Sequence, residues 1–155
     1  MSKSLKRVYA CLQSAGIAAD IRETALARTA QDAASALGCA VDQIAKSIIL
    51  RSERSGTALL FITAGGNQVD LTLATALAGE PLGKADAALI RAQTGFAIGG
   101  VAPIGHLTKP RAWFDRRLLD FDVIWAAAGT PHHVFGLSPQ KIVVISGAQI
   151  TDFKS

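Results

Sequence analysis

Two apolar runs of strand length, Ser47–Arg51 and Ala58–Thr63, are separated only by the polar stretch Ser52–Thr57. That spacing constrains the fold more than any other feature. A gap this short joins antiparallel neighbours, whereas parallel strands need a crossover of a dozen or more residues. Around this hairpin lie helix-length stretches with their own stops. Ser4–Ala15 carries Leu5, Val8, Tyr9 and Leu12 on one face, and Gly16 ends it. Thr29–Asp32 is a capping signature for a helix closed by Gly38, and Asp42 can cap a short turn over Gln43–Ala45. Asp70 caps a helix through Leu77. Asp86 caps another through Thr94, stopped by Gly95, and Ser138-Pro139 opens a last one ending at Gly147. Ile17–Glu23, Phe121–Ala127, Val134–Leu137 and Gln149–Phe153 read as further strands, and Gly65–Asn67 as a turn. Helices and strands mix without strict alternation. The expected fold is therefore α/β of the α+β kind, a single domain over 1–155 with a mixed sheet and helices packed around it.

Half the residues are hydrophobic and 18% are charged, which excludes a disordered chain. No apolar run approaches the ~18 residues that cross a bilayer. The N-terminus MSKSLKRVYACLQS lacks a secretory h-region, so a cytoplasmic protein is expected, with no membrane partner. Cys11 and Cys39 stand apart in helix-like surroundings and read as small core residues. No metal-binding motif occurs, so neither a metal nor a cofactor is expected. The net charge of +4 and the pI near 9.4 permit a polyanionic partner without demanding one.

Three places can carry chemistry. Lys46 stands where a capped turn gives way to a strand. There it either snorkels over apolar surface, the commoner case, or reaches into a pocket as a cation for a phosphate or carbonyl. Gly99–His106 (GGVAPIGH) is either a tight connection between strands or a loop whose exposed N–H groups can hold an oxyanion. Its glycine spacing matches no dinucleotide fingerprint. Gly129–His133 follows a buried strand. Adjacent histidines on extended backbone point oppositely, so one of His132 and His133 faces a pocket and the other solvent. No nucleophile elbow is present. Asp115, Arg111, Arg116 and Arg117 read as surface groups, the arginines as a possible nucleic-acid contact, and Trp113 and Trp125 as core.

The same residues carry a resemblance. Lys46 before a β run, Thr94–His106 with its Gly-Gly-x-x-Pro loop, and Val123–Phe135 with its Gly-x-x-His loop resemble the YbaK family of prolyl-tRNA editing domains. The resemblance implies a mixed, strongly curved sheet. It implies hydrolysis of the ester of a mischarged aminoacyl-tRNA, in trans, with the acceptor end of tRNA-Pro as partner and prolyl-tRNA synthetase as a second. By the same resemblance, Lys46 anchors the terminal adenosine or its phosphate. The backbone of Gly99, Gly100 and Val101 holds the aminoacyl carbonyl or amino group, with Lys46 and Gly100 as the catalytic pair. Pro103 fixes the loop, with Gly105 and His106 beside it. Gly129, Thr130 and His132 line the opposite wall, His132 matching the family pattern better than His133.

An aminoacyl ester is already activated, so positioning a water and stabilising the oxyanion suffice, and no side-chain nucleophile is required. Gly129–Phe135 differs from the Ser/Ala-Gly pattern of the cysteine-preferring branch, which turns the expected substrate toward alanine or another small residue. The competing readings are a non-catalytic tRNA- or synthetase-binding module on the same fold, and hydrolysis of another small ester or amide.

Overall fold

A computed structural model describes residues 1–155. In chain order it contains α1 (Lys3–Ser14), β1 (Asp20–Glu23), α2 (Ala30–Leu37), β2 (Ile44–Ser52), β3 (Ala58–Ala64), α3 (Leu71–Ala78) and β4 (Leu82–Lys84). These are followed by α4 (Ala87–Thr94), β5 (Arg111–Asp115), β6 (Ile124–Ala127), β7 (His133–Leu137), α5 (Pro139–Ser146) and β8 (Gln149–Thr151). The expected caps form. Thr29, Asp70, Asp86 and Ser138 accept from the third N–H of their helices, and Gly38, Gly79, Gly95 and Gly147 close them in the left-handed conformation. Ser2 caps α1, one turn before its first buried residue, Leu5.

The strands form one mixed sheet, as the sequence led one to expect, and their order is β1-β7-β6-β2-β3-β5-β8. The β2–β3 hairpin is antiparallel from Ala45↔Ala64 to Arg51↔Ala58. β6 runs parallel to β2, and β5 parallel to β3. β4 and β6 both add to the same edge of β2. β6 pairs at Ile44 and Ala45 and β4 at Leu50–Ser52, so residues 46–49 have no strand partner on that side. The sheet is forked there.

Alternation along β2 and β3 divides the core. Ala45, Ile49, Leu60 and Ile62 face the main cluster, which also holds Leu5, Val8 and Leu12 of α1. On the other face, Leu59, Phe61 and Trp113 pack under α3, with the Phe61 and Trp113 rings stacked at 4.8 Å. Ile44 and Trp125 pack under α2 as a separate patch. Lys46 shares its face with Ile44, Ile48 and Leu50, so it emerges in the seam between the two covers.

Three expectations are corrected. Arg111–Asp115 is a strand, and Asp115 is buried, not a surface group. Asp42 caps no turn. A short 3-10 turn, Val41–Gln43, follows Ala40, and β2 begins at Ile44, so Lys46 lies inside the strand. Cys39 lies beyond the end of α2, after Gly38. β4, three residues long, had no signal of its own.

Candidate functional site

The unpaired edge of β2 opens on a cavity of about 660 Å³. Lys46 and Ser47 of β2 form its floor, the end of β6 one side, and the connection from β1 into α2 another. Gly99, Val101, Thr130 and His133 close it.

Lys46 is held from behind. Its Nζ donates to the Asn67 carbonyl at 2.7 Å. That carbonyl belongs to the Gly65–Asn67 turn, which is fixed at several points. Asp115 Oδ2 accepts from the Ala64 N–H at 3.0 Å and from Asn67 Nδ2 at 2.9 Å, while Oδ1 accepts from the Arg117 N–H at 3.0 Å. Asp42 Oδ1 accepts from the Gly66 N–H at 2.8 Å. A Cβ on Gly65 would overlap the Val41 carbonyl, so only glycine fits. Partial burial pushes the Lys46 amine below the ordinary lysine value, and the charges of Asp115 and Asp42 pull it part of the way back. The outcome is a cation with limited reach, presented at a defined point on the cavity wall.

The opposite wall is built from two loops in backbone contact. A Cβ on Gly100 would lie 2.8–3.0 Å from Cα, C and N of Thr130. Gly129, at φ +95°, lets the chain turn against α1, where a Cβ would lie 2.7 Å from the Ser4 oxygen. Thr130 Oγ1 shares a hydrogen with His133 Nδ1 at 2.7 Å and accepts from the His132 N–H at 3.1 Å. His133 begins β7 and turns its ring into the cavity. His132 is exposed, and its carbonyl accepts from the Thr24 N–H at 2.7 Å.

The Gly-rich loop is thus divided. In its first half, Gly99 and Val101 meet Lys46, Thr130 and His133 around one space, while Gly100 lies behind the wall with its N–H donating to the Ala97 carbonyl. Pro103, Gly105 and His106 line a separate cavity of about 290 Å³ on the α1 side. There His106 Nε2 bonds the Ala102 carbonyl, its ring meets Phe96 edge-on at 5.4 Å, and Arg7 Nε donates to the Gly105 carbonyl at 3.0 Å. Burial holds the His106 imidazole below its ordinary value. The Ala102 bond opposes that shift and Arg7 adds to it. This half of the loop is a clasp that holds the first half in place.

Sequence reasoning missed Asn67, Asp115 and Arg28, the last lining the cavity from the connection between β1 and α2, and it ranked His132 above His133. Only Gly65-Gly66 ahead of Asn67 offered a local signal, that of a turn with no room for side chains. Burial raises the Cys39 thiol above its ordinary value, and neither cysteine lines the large cavity. No group of three or more His, Cys, Asp or Glu is placed to hold a metal ion. No helix is long and apolar enough to cross a membrane.

Residues 24–144 match the family model described as the aminoacyl-tRNA editing domain. Over 122 residues the chain is 28% identical to an uncharacterized protein of Bacillus subtilis (strain 168), YwhH, a span covering 79% of this chain and 77% of that protein. A solved structure described as a candidate trans-editing enzyme for prolyl tRNA synthetase superposes with a TM-score of 0.92. It is 41% identical and is covered over 99% of its length by 100% of this chain. A scaffold used for computational epitope grafting superposes at 0.93 with the same identity and coverage.

Proposed function

The chain belongs to the aminoacyl-tRNA editing domain family, and from that premise we propose that it is a deacylase acting in trans, which hydrolyses the ester of tRNA-Pro mischarged with alanine or another small amino acid. The observation that carries this reading is the meeting of Lys46, Gly99, Val101 and Thr130 around one cavity, with Gly100 packed against the Thr130 backbone behind them.

In this reading the terminal ribose enters with its ester between the two walls. Lys46 Nζ keeps its bond to the Asn67 carbonyl and offers its remaining hydrogens to the terminal adenosine or its phosphate. The Gly99 and Val101 amides are the ones left to stabilise the charge that develops on the ester oxygen, since the Gly100 N–H donates to the Ala97 carbonyl at 3.0 Å. A water attacks the carbonyl carbon, the bond to the ribose oxygen breaks, and that oxygen takes up a proton. Gly100 and Gly129 contribute by what they lack, because any side chain would drive the two loops apart. On the opposite wall Thr130 and His133 form a hydrogen-bonded pair suited to holding the water, and the His132 backbone pins the strap from β1 over the cavity. Pro103, Gly105 and His106 serve from a distance by fixing the loop. The acyl side chain meets Ala126, Ala127 and Val101, a surface suited to a small apolar group and to selection by size.

The binding-module alternative keeps the net charge of +4 as a motive and draws less support from the arginine cluster. Arg117 pairs with Asp42 at 2.9 Å and Asp120 at 2.7 Å, Arg116 with Asp152 at 3.5 Å, and Arg111 with Glu80 at 3.9 Å. That cluster is matched internally and is not a free basic surface. The test is deacylation of alanyl-, seryl- and cysteinyl-tRNA carrying the proline anticodon, by wild type and Lys46→Ala together. Loss of one ester with wild type, slowed about 10²–10³-fold in the variant, is the expected result. Equal slow loss in both would reject the reading.

A further inference from the structure

The charge of the large cavity bears on which acyl groups it accepts. We infer that it hydrolyses esters without requiring a charged α-amino group, so that tRNA esters of small 2-hydroxy acids are substrates alongside those of small amino acids. The inference rests on the deacylase reading above and extends its substrate class.

Three ionisable side chains line the cavity, Arg28, Lys46 and His133, and no aspartate or glutamate does. The nearby carboxylates are committed elsewhere. Asp115 holds the Ala64, Asn67 and Arg117 nitrogens, and Asp42 holds Gly66 and Arg117. Glu23 stands 3.9 Å from His133 Nε2 with a side chain 79% exposed, outside the lining. Neither Arg28 nor Lys46 is ion-paired.

An α-ammonium entering this space meets like charge and no counter-ion. Both effects favour the neutral amine. What the cavity offers an α-substituent is neutral. Thr130 and the backbone of Gly99 and Val101 line it, and Ser47 Oγ lies beneath the floor, buried with no protein partner. A hydroxyl donates and accepts, so it satisfies –NH2 and –OH equally. Lactate has the size and shape of alanine with a hydroxyl in place of the ammonium. The α-substituent takes no part in the bond changes. Water oxygen adds to the carbonyl carbon, the acyl–ribose bond breaks, the ribose oxygen takes a proton, and the hydroxy acid leaves as a carboxylate with release of a proton.

The experiment compares tRNA-Pro acylated with alanine and with lactate, each enzymatic kcat/KM divided by that ester's own uncatalysed rate. A lactyl value within tenfold of the alanyl value supports the inference, and an alanyl preference above tenfold overturns it. Arg28→Glu supplies the missing carboxylate, so it should raise the alanyl-to-lactyl ratio. An unchanged ratio would show that cavity charge does not set this selectivity and would also overturn the inference. If wild type removes neither ester, the deacylase reading itself falls and takes the inference with it.

Discussion

Replacing Asp115 with alanine tests whether the clamp behind Lys46 is as strong as its geometry says. The side chain is 4% exposed and accepts three hydrogen bonds. Bonds to an ionised acceptor contribute about 1.5–3 kcal/mol each, but the three partners differ in what remains after truncation. Water can replace the carboxylate at Asn67 Nδ2 and the Arg117 N–H, which lie nearer the surface. The Ala64 N–H belongs to a fully buried residue, and leaving it unpaired costs about 1–3 kcal/mol. Removing a buried carboxylate also returns part of its desolvation cost. The net loss should be about 2–4 kcal/mol, read as a shift of the urea midpoint at unchanged m. Asp115→Asn keeps one carbonyl oxygen for Ala64 and Asn67, but turns an amide N–H2 toward the Arg117 N–H, so it should lose roughly half as much. Hydrolysis should fall in the alanine variant, where the Asn67 turn that steadies Lys46 is no longer held, and fall less in the asparagine variant, which keeps that bond. A loss below about 1 kcal/mol for the alanine variant would refute the argument that this carboxylate organises the turn.

Gly100→Ala should reduce kcat/KM at least ~10²-fold and destabilise by about 1–3 kcal/mol, since its Cβ meets the Thr130 backbone, which cannot swing aside; steady-state kinetics beside thermal unfolding checks both. Burial depresses the folded His106 imidazole, so the native state favours its neutral form. The associated stability is complete above the ordinary imidazole value of 6.5 and declines as pH falls below it. His106→Phe should therefore flatten the acid side of the stability profile in urea titrations from pH 7.5 to 5, and an unchanged slope would count against the assignment. Lys46→Ala should leave the unfolding midpoint nearly unchanged while hydrolysis falls, separating a charge placed for ligand from one that supports the fold.

The helices were legible because each is announced locally. Thr29, Asp70, Asp86 and Ser138 sit within three residues of the N–H they cap, and a glycine marks each end. The β2–β3 hairpin was legible for the same reason. β5 was not. Arg111-Ala-Trp-Phe-Asp115 is charged at both ends, and what makes it an interior strand is pairing with β3 and β8, more than thirty residues away on either side. Burial of Asp115 depends on donors at positions 64 and 67 and so leaves no mark near 115. The site was half legible. The Gly-rich loop stood out by residue type, whereas Lys46 and Thr130 were singled out for the site by the family resemblance. The division of Gly99–His106 between two cavities depends on where α1 lies, which no pattern within the loop reveals. The two histidines do part company, but His132 lies in the turn before β7, so strand alternation is not the cause. The direction, with His133 inward, was fixed by the register of β7 on β1 and β6.

The fork in the sheet also governs when a working cavity can exist as the chain folds. The β2–β3 hairpin closes over a short turn and carries Lys46 from the outset. Its parallel neighbour, β6, joins residues 44–45 to 125–126, and β1 waits for β7, joining 20–23 to 133–136. Closing loops of that length is entropically expensive and slow compared with forming a local hairpin. Thr130 and His133 lie between those two late pairings, so their wall comes together only when the last third of the chain docks. A chain halted before β6 would retain the lysine and its carbonyl clamp, yet enclose nothing. During refolding, recovery of hydrolysis should follow burial of Trp125 against β2, not formation of the Lys46 hairpin.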